Sequence, residues 1–276
     1  MLNSTQRLWI SYSGISDFEK CPHLYYLKNI YHTPVTGRKI QVANPFLTLG
    51  TVVHRVTEEI SLLPPEKRKD VPLKARFERI WNAFSGKKGG FVTQAEEEEF
   101  RQRGLQMIER LERSDILYSP CYPIGDKLPK VQLFKDKNIV LVGNVDWVEI
   151  LPDNSIHIID FKTGKMEEDE DSLQLPIYLI LGAYNFPDPI KKISYWYLDR
   201  EEVPIEKEVK PYRDYIPLIQ EKALKIAEAL YNNRLECISA PQLCEDCKLY
   251  EKIIAGEAEY VGLDRKMNRE IYYVNK

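Results

Sequence analysis

The sequence predicts a protein of the α/β (α+β) class, in which a small mixed central sheet is flanked by helices. Three observations support this class. Amphipathic helical patterns fill most of residues 1–130, and segments rich in Val, Ile and Leu with turn residues between them follow. Helix, strand and helix then alternate towards the C-terminus. The chain has 276 residues, which suits one domain with an extensive core.

The N-terminal part, residues 1–130, is predicted to be mainly helical because its apolar residues recur at helical spacing. Polar residues that favour helix starts precede several of these patterns. The predicted helices span residues 11–31, with Ser13 or Ser16 as the cap, residues 49–62, residues 73–84, and a segment that begins at Thr93 with Glu96 in a capping box.

Residues 131–210 are predicted to form the sheet core. Three apolar segments read as strands, and the sequence LPDNS at 151–155 is typical of the turn in a hairpin. The predicted elements are strands at 131–135, 139–150 and 155–162, a helix at 172–184 and a strand at 191–198. Residues 211–276 are then expected to hold a long helix, at 214–235, and a tail that carries cysteines.

Composition sets limits on the class of protein. No apolar run reaches the ~18 residues that a membrane-spanning helix needs. The N-terminal residues lack the pattern of an export signal, and five cysteines is an odd number, so we expect a reducing, cytoplasmic protein without a disulfide framework. The net charge of −3 gives no general attraction to nucleic acid, so a basic groove would have to be local.

The most informative segment is the predicted hairpin VGNVDWVEILPDNSIHIIDFKTGK. Alternate residues of a strand share a face, so Asp160 and Lys162 point the same way and Phe161 points to the opposite layer. Asp146, on the preceding strand, is expected to converge with Asp160. Two neighbouring carboxylates repel each other unless a cation lies between them, and carboxylate oxygens suit Mg²⁺ or Mn²⁺. The alternative is an ordinary surface ion pair between Asp160 and Lys162.

Such a group suits phosphodiester hydrolysis. A divalent metal polarises the phosphate and lowers the pKa of a bound water. A lysine beside the metal orients that water or offsets charge that develops on the phosphate.

The chain resembles the RecB-type nucleases and CRISPR-adaptation exonucleases of the PD-(D/E)XK superfamily. The resemblance rests on five motifs in the family's order: SYSGISDFEKCPHLYYLKNI, LGTVVH, VGNVDWVEI, IIDFKTGK and LQLPIYLI. It implies a restriction-endonuclease-like core, a Mg²⁺ or Mn²⁺ ion and DNA as substrate. The residues it assigns are His54, Asp146 and Asp160 as metal ligands, and Asp146, Asp160, Lys162, Gln174 and Tyr178 as catalytic residues.

For three of these residues the sequence alone leaves other interpretations open. His54 lies on an amphipathic helix, where a histidine that is satisfied in the interior or at the surface is common. Gln174 and Tyr178 are one helical turn apart and share a face. They either contact the DNA backbone or brace the lysine, or they serve as a helix-start amide and a core aromatic residue.

The cysteines suggest a second metal site. In many relatives one N-terminal cysteine and three C-terminal cysteines bind an iron–sulfur cluster. Cys21, Cys244 and Cys247 match that pattern, but the position of the last cysteine holds Ile253. Cys237 could supply the fourth thiolate of a cluster, or His23 could complete a Zn²⁺ site. The alternative is a degenerate site with three free thiols.

The sequence thus favours a metal-dependent DNA nuclease, exonuclease-like, in DNA repair, recombination or mobile-element processing. No phosphate-binding loop of the Gly-x-x-x-x-Gly-Lys-Ser/Thr type occurs, so a helicase or recombination partner would be a separate chain. Two alternatives come from other classes: an inactive DNA-binding or assembly subunit that retains the nuclease fold, and a redox protein that carries a cluster.

Overall fold

The structure is a computed structural model that describes residues 7–125, 128–208 and 210–275. Helices and short strands alternate along the chain, with single turns of 3₁₀ or π-helix between some of them. The strands are β1 (Leu8–Ile10), β2 (Lys39–Val42), β3 (Lys130–Gln132), β4 (Ile139–Val142), β5 (Trp147–Ile150), β6 (Ile156–Lys162), β7 (Ile190–Tyr197), β8 (Ile205–Lys207), β9 (Glu259–Asp264) and β10 (Arg269–Tyr273). The helices are α1 (Tyr12–Lys20), α2 (Pro22–Tyr25), α3 (Pro45–Ser61), α4 (Pro65–Arg68), α5 (Leu73–Trp81), α6 (Gln94–Arg113), α7 (Gln174–Asn185), α8 (Tyr212–Tyr231) and α9 (Glu245–Ile254).

Within the described residues the strands form three small sheets in place of the single central sheet that the sequence predicts. The mixed sheet has the order β5-β6-β7-β8, in which β6 and β7 are parallel and the other pairs antiparallel. A second sheet has the order β1-β4-β3, and a third the order β2-β10-β9. The mixed α/β class is confirmed.

The segment 139–150, predicted as one strand, is two strands in different sheets. β4 ends at Val142 and β5 begins at Trp147, and the chain crosses between the sheets over residues 143–146. Gly143 lies against α7 here, because a Cβ at this position would lie 2.8 Å from Leu181 Cδ1. The crossing places Asp146 just outside the ladder, at the end of β5.

The helix predicted at 11–31 is broken at Cys21. Cys21 has extended backbone angles (φ −167°, ψ 121°), which agrees with the steric restriction that Pro22 places on the residue before it. The cap of α1 is Ser11, whose Oγ accepts a hydrogen bond from Gly14 N at 3.1 Å, and not Ser13 or Ser16. The break turns the Cys21 side chain into the interior, where it is fully buried.

Helix α3 begins four residues earlier than the predicted 49, because Asn44 and Pro45 form a strong start signal. The Asn44 side chain accepts hydrogen bonds from Phe46 N and Leu47 N, and proline is well suited to the first helical position. The early start brings Phe46 and His54 onto one helix.

The mixed sheet is buried on both faces. One face packs with α7 and α8 and the β1-β4-β3 sheet, and the other packs with α3, α5 and α6. Along β6, Ile156 and Ile158 point to the first core and Ile159 and Phe161 to the second. Burial of a side chain such as Phe161 contributes about 1.5–3 kcal/mol, so a one-residue slip of this strand is strongly disfavoured.

The C-terminal part differs from the predicted helix and tail because it also contains a hairpin. Strand β10 pairs antiparallel with β9 and parallel with β2, which joins the C-terminal residues to the N-terminal part. A third core lies beneath this sheet and contains Cys21, Cys237 and Cys247. Across the described ranges, none of the helices has both the length and the apolar character needed to cross a membrane.

Candidate active site

Asp160 and Lys162 lie on one side of β6, as the alternation of a strand predicts. Lys162 Nζ is 3.0 Å from Asp160 Oδ2, and Phe161 between them packs in the opposite core. Asp160 is only 1 % exposed, so its charge has little access to solvent. The predicted arrangement of these three residues is therefore confirmed.

Asp146 lies beside Asp160 but immediately before β5, so the prediction that it lies on a strand is wrong. Trp147, the first residue of β5, pairs with Ile159, so the preceding Asp146 lies beside the end of β6 that carries Asp160. Asp146 Oδ2 accepts a hydrogen bond from Phe161 N at 3.0 Å. This bond to the backbone fixes the carboxylate although residue 146 lies outside the strand.

His54 approaches the same carboxylate from α3. Its Nδ1 lies 3.0 Å from Asp146 Oδ1, and the side chain is 34 % exposed. Desolvation in the pocket opposes the charged imidazolium, but the attraction of Asp146 and Asp160 outweighs it and raises the pKa of His54. The contact with Asp146 shows that His54 belongs to this group and is not an isolated surface residue.

Gln174, at the start of α7, joins the lysine to the acid. Its Oε1 accepts a hydrogen bond from Lys162 Nζ, and its Nε2 donates to Asp160 Oδ1 at 2.6 Å. Gln174 Nε2 also lies 3.3 Å from the hydroxyl of Tyr178, one turn later on the helix. Of the interpretations left open, the contact geometry matches bracing of the lysine by Gln174.

All six residues line one cavity of about 500 Å³. They come from α3, from the crossing before β5, from β6 and from α7, so the cavity depends on the tertiary fold and not on one local motif. The six are His54, Asp146, Asp160, Lys162, Gln174 and Tyr178.

Glu168 is a second acidic partner of Lys162 that was not predicted from the sequence. Glu168 Oε1 lies 2.9 Å from Lys162 Nζ, while its Oε2 accepts hydrogen bonds from the hydroxyls of Tyr12 and Ser172, each at 3.2 Å. The available signal was the acidic run at 167–171 directly after the Asp160-x-Lys162 motif. Burial opposes the charged ammonium, but Asp160 and Glu168 outweigh it and raise the pKa of Lys162.

The electrostatics of Asp160 fit a bound cation. Burial, together with the neighbouring charge of Asp146, raises the pKa of Asp160 to about 7. Its Oδ2 is buried and is left without a hydrogen-bond partner among the described residues, although Lys162 Nζ lies 3.0 Å away as an ion-pair partner. Two carboxylates and an imidazole are ligands that suit Mn²⁺, and the carboxylates suit Mg²⁺.

The cysteines form a separate cluster. The Sγ atoms of Cys21, Cys237, Cys244 and Cys247 all lie within 4.8 Å of one another. Among the described residues this is the only group of at least three His, Cys, Asp or Glu ligands with such spacing, and His54, Asp146 and Asp160 are less tightly grouped. Four thiolates suit either Zn²⁺ or an iron–sulfur cluster.

Cys237 takes the fourth position that the sequence left open. Cys244 N donates a hydrogen bond to Cys237 Sγ at 3.1 Å. Burial opposes the thiolate, but this bond and one from Ser239 N lower the pKa of Cys237 to about 6. A low pKa favours the thiolate form that metals bind.

His23, the other candidate for the fourth ligand, is engaged elsewhere. Its Nε2 lies 2.7 Å from Glu251 Oε1, and its Nδ1 lies 3.1 Å from Leu235 O. The sequence-based option of a zinc site completed by His23 is therefore not supported, and neither is a remnant of only three thiols.

The comparison with protein families agrees with this geometry. The profile of the PD-(D/E)XK nuclease superfamily matches residues 9–251, which include every residue of the cavity and all four clustered cysteines. The hairpin of β9 and β10 lies beyond the match. A search of curated proteins finds no match to this chain. With most of its length matched, the chain belongs to the PD-(D/E)XK nuclease superfamily.

Proposed function

We propose that this protein is a divalent-metal-dependent DNA nuclease. The observation that carries the proposal is the convergence of His54, Asp146, Asp160 and Lys162 from three separate segments in one cavity. Membership of the superfamily makes phosphodiester hydrolysis the reaction to test first. The imidazole and the two carboxylates would hold Mg²⁺ or Mn²⁺.

When bound, the metal would polarise the phosphate and lower the pKa of a coordinated water. The protein's own residues supply the remaining parts. Lys162 lies between Asp160 and Glu168 and keeps its proton, so it acts as a fixed positive charge beside the scissile phosphate. Gln174 holds Lys162 and Asp160 in a fixed relation, and it is a positioning residue.

Within the superfamily we propose the RecB-like branch, which includes CRISPR-adaptation exonucleases. The order of the motifs along the chain supports this assignment, as does the pairing of an N-terminal cysteine with C-terminal cysteines. The corresponding role is exonuclease-like cleavage of DNA ends in repair, recombination or mobile-element processing. Any helicase or recombination partner would be a separate chain.

The four cysteines would hold Zn²⁺ or an iron–sulfur cluster with a structural role. Cys21 lies at the break between α1 and α2, and Cys244 and Cys247 lie at the start of α9. A metal or cluster at this point would join two parts of the chain that are more than 200 residues apart in sequence. The cavity lies elsewhere, so a metal or cluster at the cysteines takes no part in the proposed hydrolysis.

The direct experiment is cleavage of end-labelled single- and double-stranded DNA with and without Mn²⁺. Wild type should cleave only with the metal, and Asp160→Asn and Lys162→Ala should each reduce the rate by at least about 100-fold. Asp136→Asn and Lys137→Ala are matched controls, because this exposed pair lies in the turn between β3 and β4. Both controls should cleave as wild type does.

Metal-dependent binding of DNA without cleavage would instead identify a non-catalytic subunit. The lack of a cysteine at position 253 would favour that alternative, but Cys237 brings a fourth sulfur within 4.8 Å of the other three. Visible absorbance with no hydrolysis under any metal would favour the redox alternative.

A further inference from the structure

The mouth of the cavity carries two apolar side chains that the proposed hydrolysis does not explain. Phe46, in the first turn of α3, lines the cavity although the residue is 61 % exposed. Met166, in the loop after β6, also lines it and is 84 % exposed. Exposed aromatic and thioether side chains at the mouth of a substrate cavity offer flat or adaptable apolar contacts to a bound substrate.

Phe46 is held in place and aligned with the metal-binding group. Its ring packs edge-to-face on Phe100 with centroids 5.0 Å apart, and its backbone N–H donates to Asn44 Oδ1 at 2.9 Å. Phe46, Gly50 and His54 are spaced by four residues and share one face of α3. Eight residues of helix put Phe46 about 12 Å along the axis from His54.

The loop after β6 is brought against the same face of α3. A Cβ on Gly50 would lie 3.2 Å from Thr163 Oγ1, so the glycine allows the chain that leaves Lys162 to approach the helix closely. This approach places Lys165 and Met166 on the cavity that Phe46 also lines. One basic residue and two apolar residues therefore line the cavity that Asp160 and Lys162 also line.

We propose that Phe46 stacks on a nucleobase next to the scissile phosphate, with Met166 as a second apolar contact, so that the cavity selects an unpaired strand. The inference rests on the proposed function and adds its substrate class. Inside a duplex both faces of each base are covered by neighbouring bases, whereas a single strand or a frayed end leaves them free for an aromatic side chain.

The contact depends on stacking and not on base edges, so it tolerates every sequence. In a DNA strand each phosphate is linked through its sugar to a nearby base. When the scissile phosphate binds at Asp160 and Lys162, the neighbouring base therefore lies within reach of the cavity mouth, where Phe46 is found. An aromatic side chain under a base strengthens binding by roughly 5- to 150-fold.

The test compares Phe46→Ala, Phe46→Trp and Leu47→Ala on single-stranded DNA with Mn²⁺. In Phe46→Ala the KM should rise at least about fivefold with little change in kcat, and Phe46→Trp should restore it. Leu47→Ala is the matched control, because Leu47 is the next residue, is 47 % exposed and does not line the cavity. Its KM should equal that of wild type.

A second measurement does not depend on cleavage. It therefore remains informative if the loss of packing on Phe100 lowers the activity of Phe46→Ala. A strand with 2-aminopurine beside the bound phosphate is added with Ca²⁺ in place of Mn²⁺. Its fluorescence should be quenched by wild type and Phe46→Trp but not by Phe46→Ala. Equal KM values and equal quenching in wild type and Phe46→Ala would overturn the inference, as would a preference for blunt duplex over single strands.

The two proposals fail in different ways. A wild-type protein that quenches 2-aminopurine through Phe46 but hydrolyses no DNA contradicts the nuclease proposal alone. A Phe46→Ala variant that cleaves DNA with the KM and kcat of wild type contradicts only the stacking contact.

Discussion

Lys162 Nζ lies 2.9 Å from Glu168 Oε1, so the lysine of the cavity is shared between this acid and Asp160. Glu168 is anchored by Tyr12 and Ser172 and by a hydrogen bond from its own backbone N–H to the Tyr197 hydroxyl at 3.0 Å. A DNA phosphate that approaches Lys162 is therefore repelled by the carboxylate of Glu168, which is already in contact with the lysine.

This relationship predicts that Glu168→Gln binds DNA more tightly. The amide keeps the shape of the side chain and its contacts with Tyr12 and Ser172, but it removes the charge that repels phosphate. The KM for DNA should fall by about threefold or more at low ionic strength, and the difference should shrink as salt is added.

Glu170→Gln is the control for Glu168→Gln, because it removes one charge from the same acidic run at an exposed position. Its KM should change less than that of Glu168→Gln. A loss of kcat by about 100-fold in Glu168→Gln, with no gain in binding, would show that the carboxylate is required for the chemistry and contradict this role.

Asp160 should make the protein less stable when no metal is bound. Its pKa is about 7 in the folded state, against about 3.9 in an unfolded chain. Between these values the folded state binds more protons than the unfolded state, so the free energy of unfolding falls as pH rises from about 4 to about 7. Above pH 7 the full penalty is present.

Asp160→Asn should remove that penalty. In EDTA at pH 8 the Tm of the variant should exceed that of wild type by a few degrees, which corresponds to roughly 1–3 kcal/mol. At pH 4 the two values should converge, and Mn²⁺ should raise only the Tm of wild type. A variant that melts below wild type at pH 8 would show that Asp160 is stabilising in the metal-free protein.

The sequence was informative where local pattern and tertiary contact agree. The alternation of β6 predicted the relation of Asp160, Phe161 and Lys162, and the spacing of Gln174 and Tyr178 placed both on one helical face, where the structure has them. In these cases the period of the strand or helix sets the direction of each side chain. Packing of the apolar residues in the cores then stabilises that direction.

The wrong or missing predictions have two kinds of physical cause. Either the local signal is weak, or a commoner interpretation of the same residues outweighs it. Strands of three to six residues such as β1 and β9 carry little periodic signal, and β1 is held by pairing with β4, about 130 residues away. The break at Cys21 did have a local signal, in Pro22, but the amphipathic pattern on both sides outweighed it. Glu168 was missed because an acidic run is usually a solvated surface.

Gln174 is predicted to act on rate more than on binding. Gln174→Leu removes the amide that joins Lys162 to Asp160, and partners of this kind typically contribute about 10- to 100-fold. We expect kcat to fall by about that factor with KM within about threefold. Tyr178→Phe loses only a 3.3 Å contact with Gln174 and should lower kcat by less than about tenfold.

Steady-state kinetics of both variants distinguish this positioning role from one in DNA binding. Direct contact of Gln174 with the DNA backbone would raise KM and leave kcat close to that of wild type. That outcome would support the other interpretation of Gln174.

The cysteine cluster predicts that Cys237 is required for bound metal although it lies outside the Cys244-x-x-Cys247 motif. Anaerobically purified wild type should contain stoichiometric zinc, or iron with visible absorbance, by metal analysis. Cys237→Ser should lose the metal and several kcal/mol of stability, because the free energy of metal binding contributes to folding.

Cys121→Ser is the matched control, because Cys121 lies apart from the cluster and its Sγ accepts a hydrogen bond from Arg68 Nη2 at 3.1 Å. It should keep the full metal content. If Cys237→Ser keeps the metal, the fourth ligand is not Cys237, and the proximity of its sulfur to Cys21 at 3.7 Å is packing alone. Because the cavity lies elsewhere, brief assays of Cys237→Ser below its Tm should still detect Mn²⁺-dependent cleavage, which separates the structural role of the cluster from the chemistry of Asp160 and Lys162.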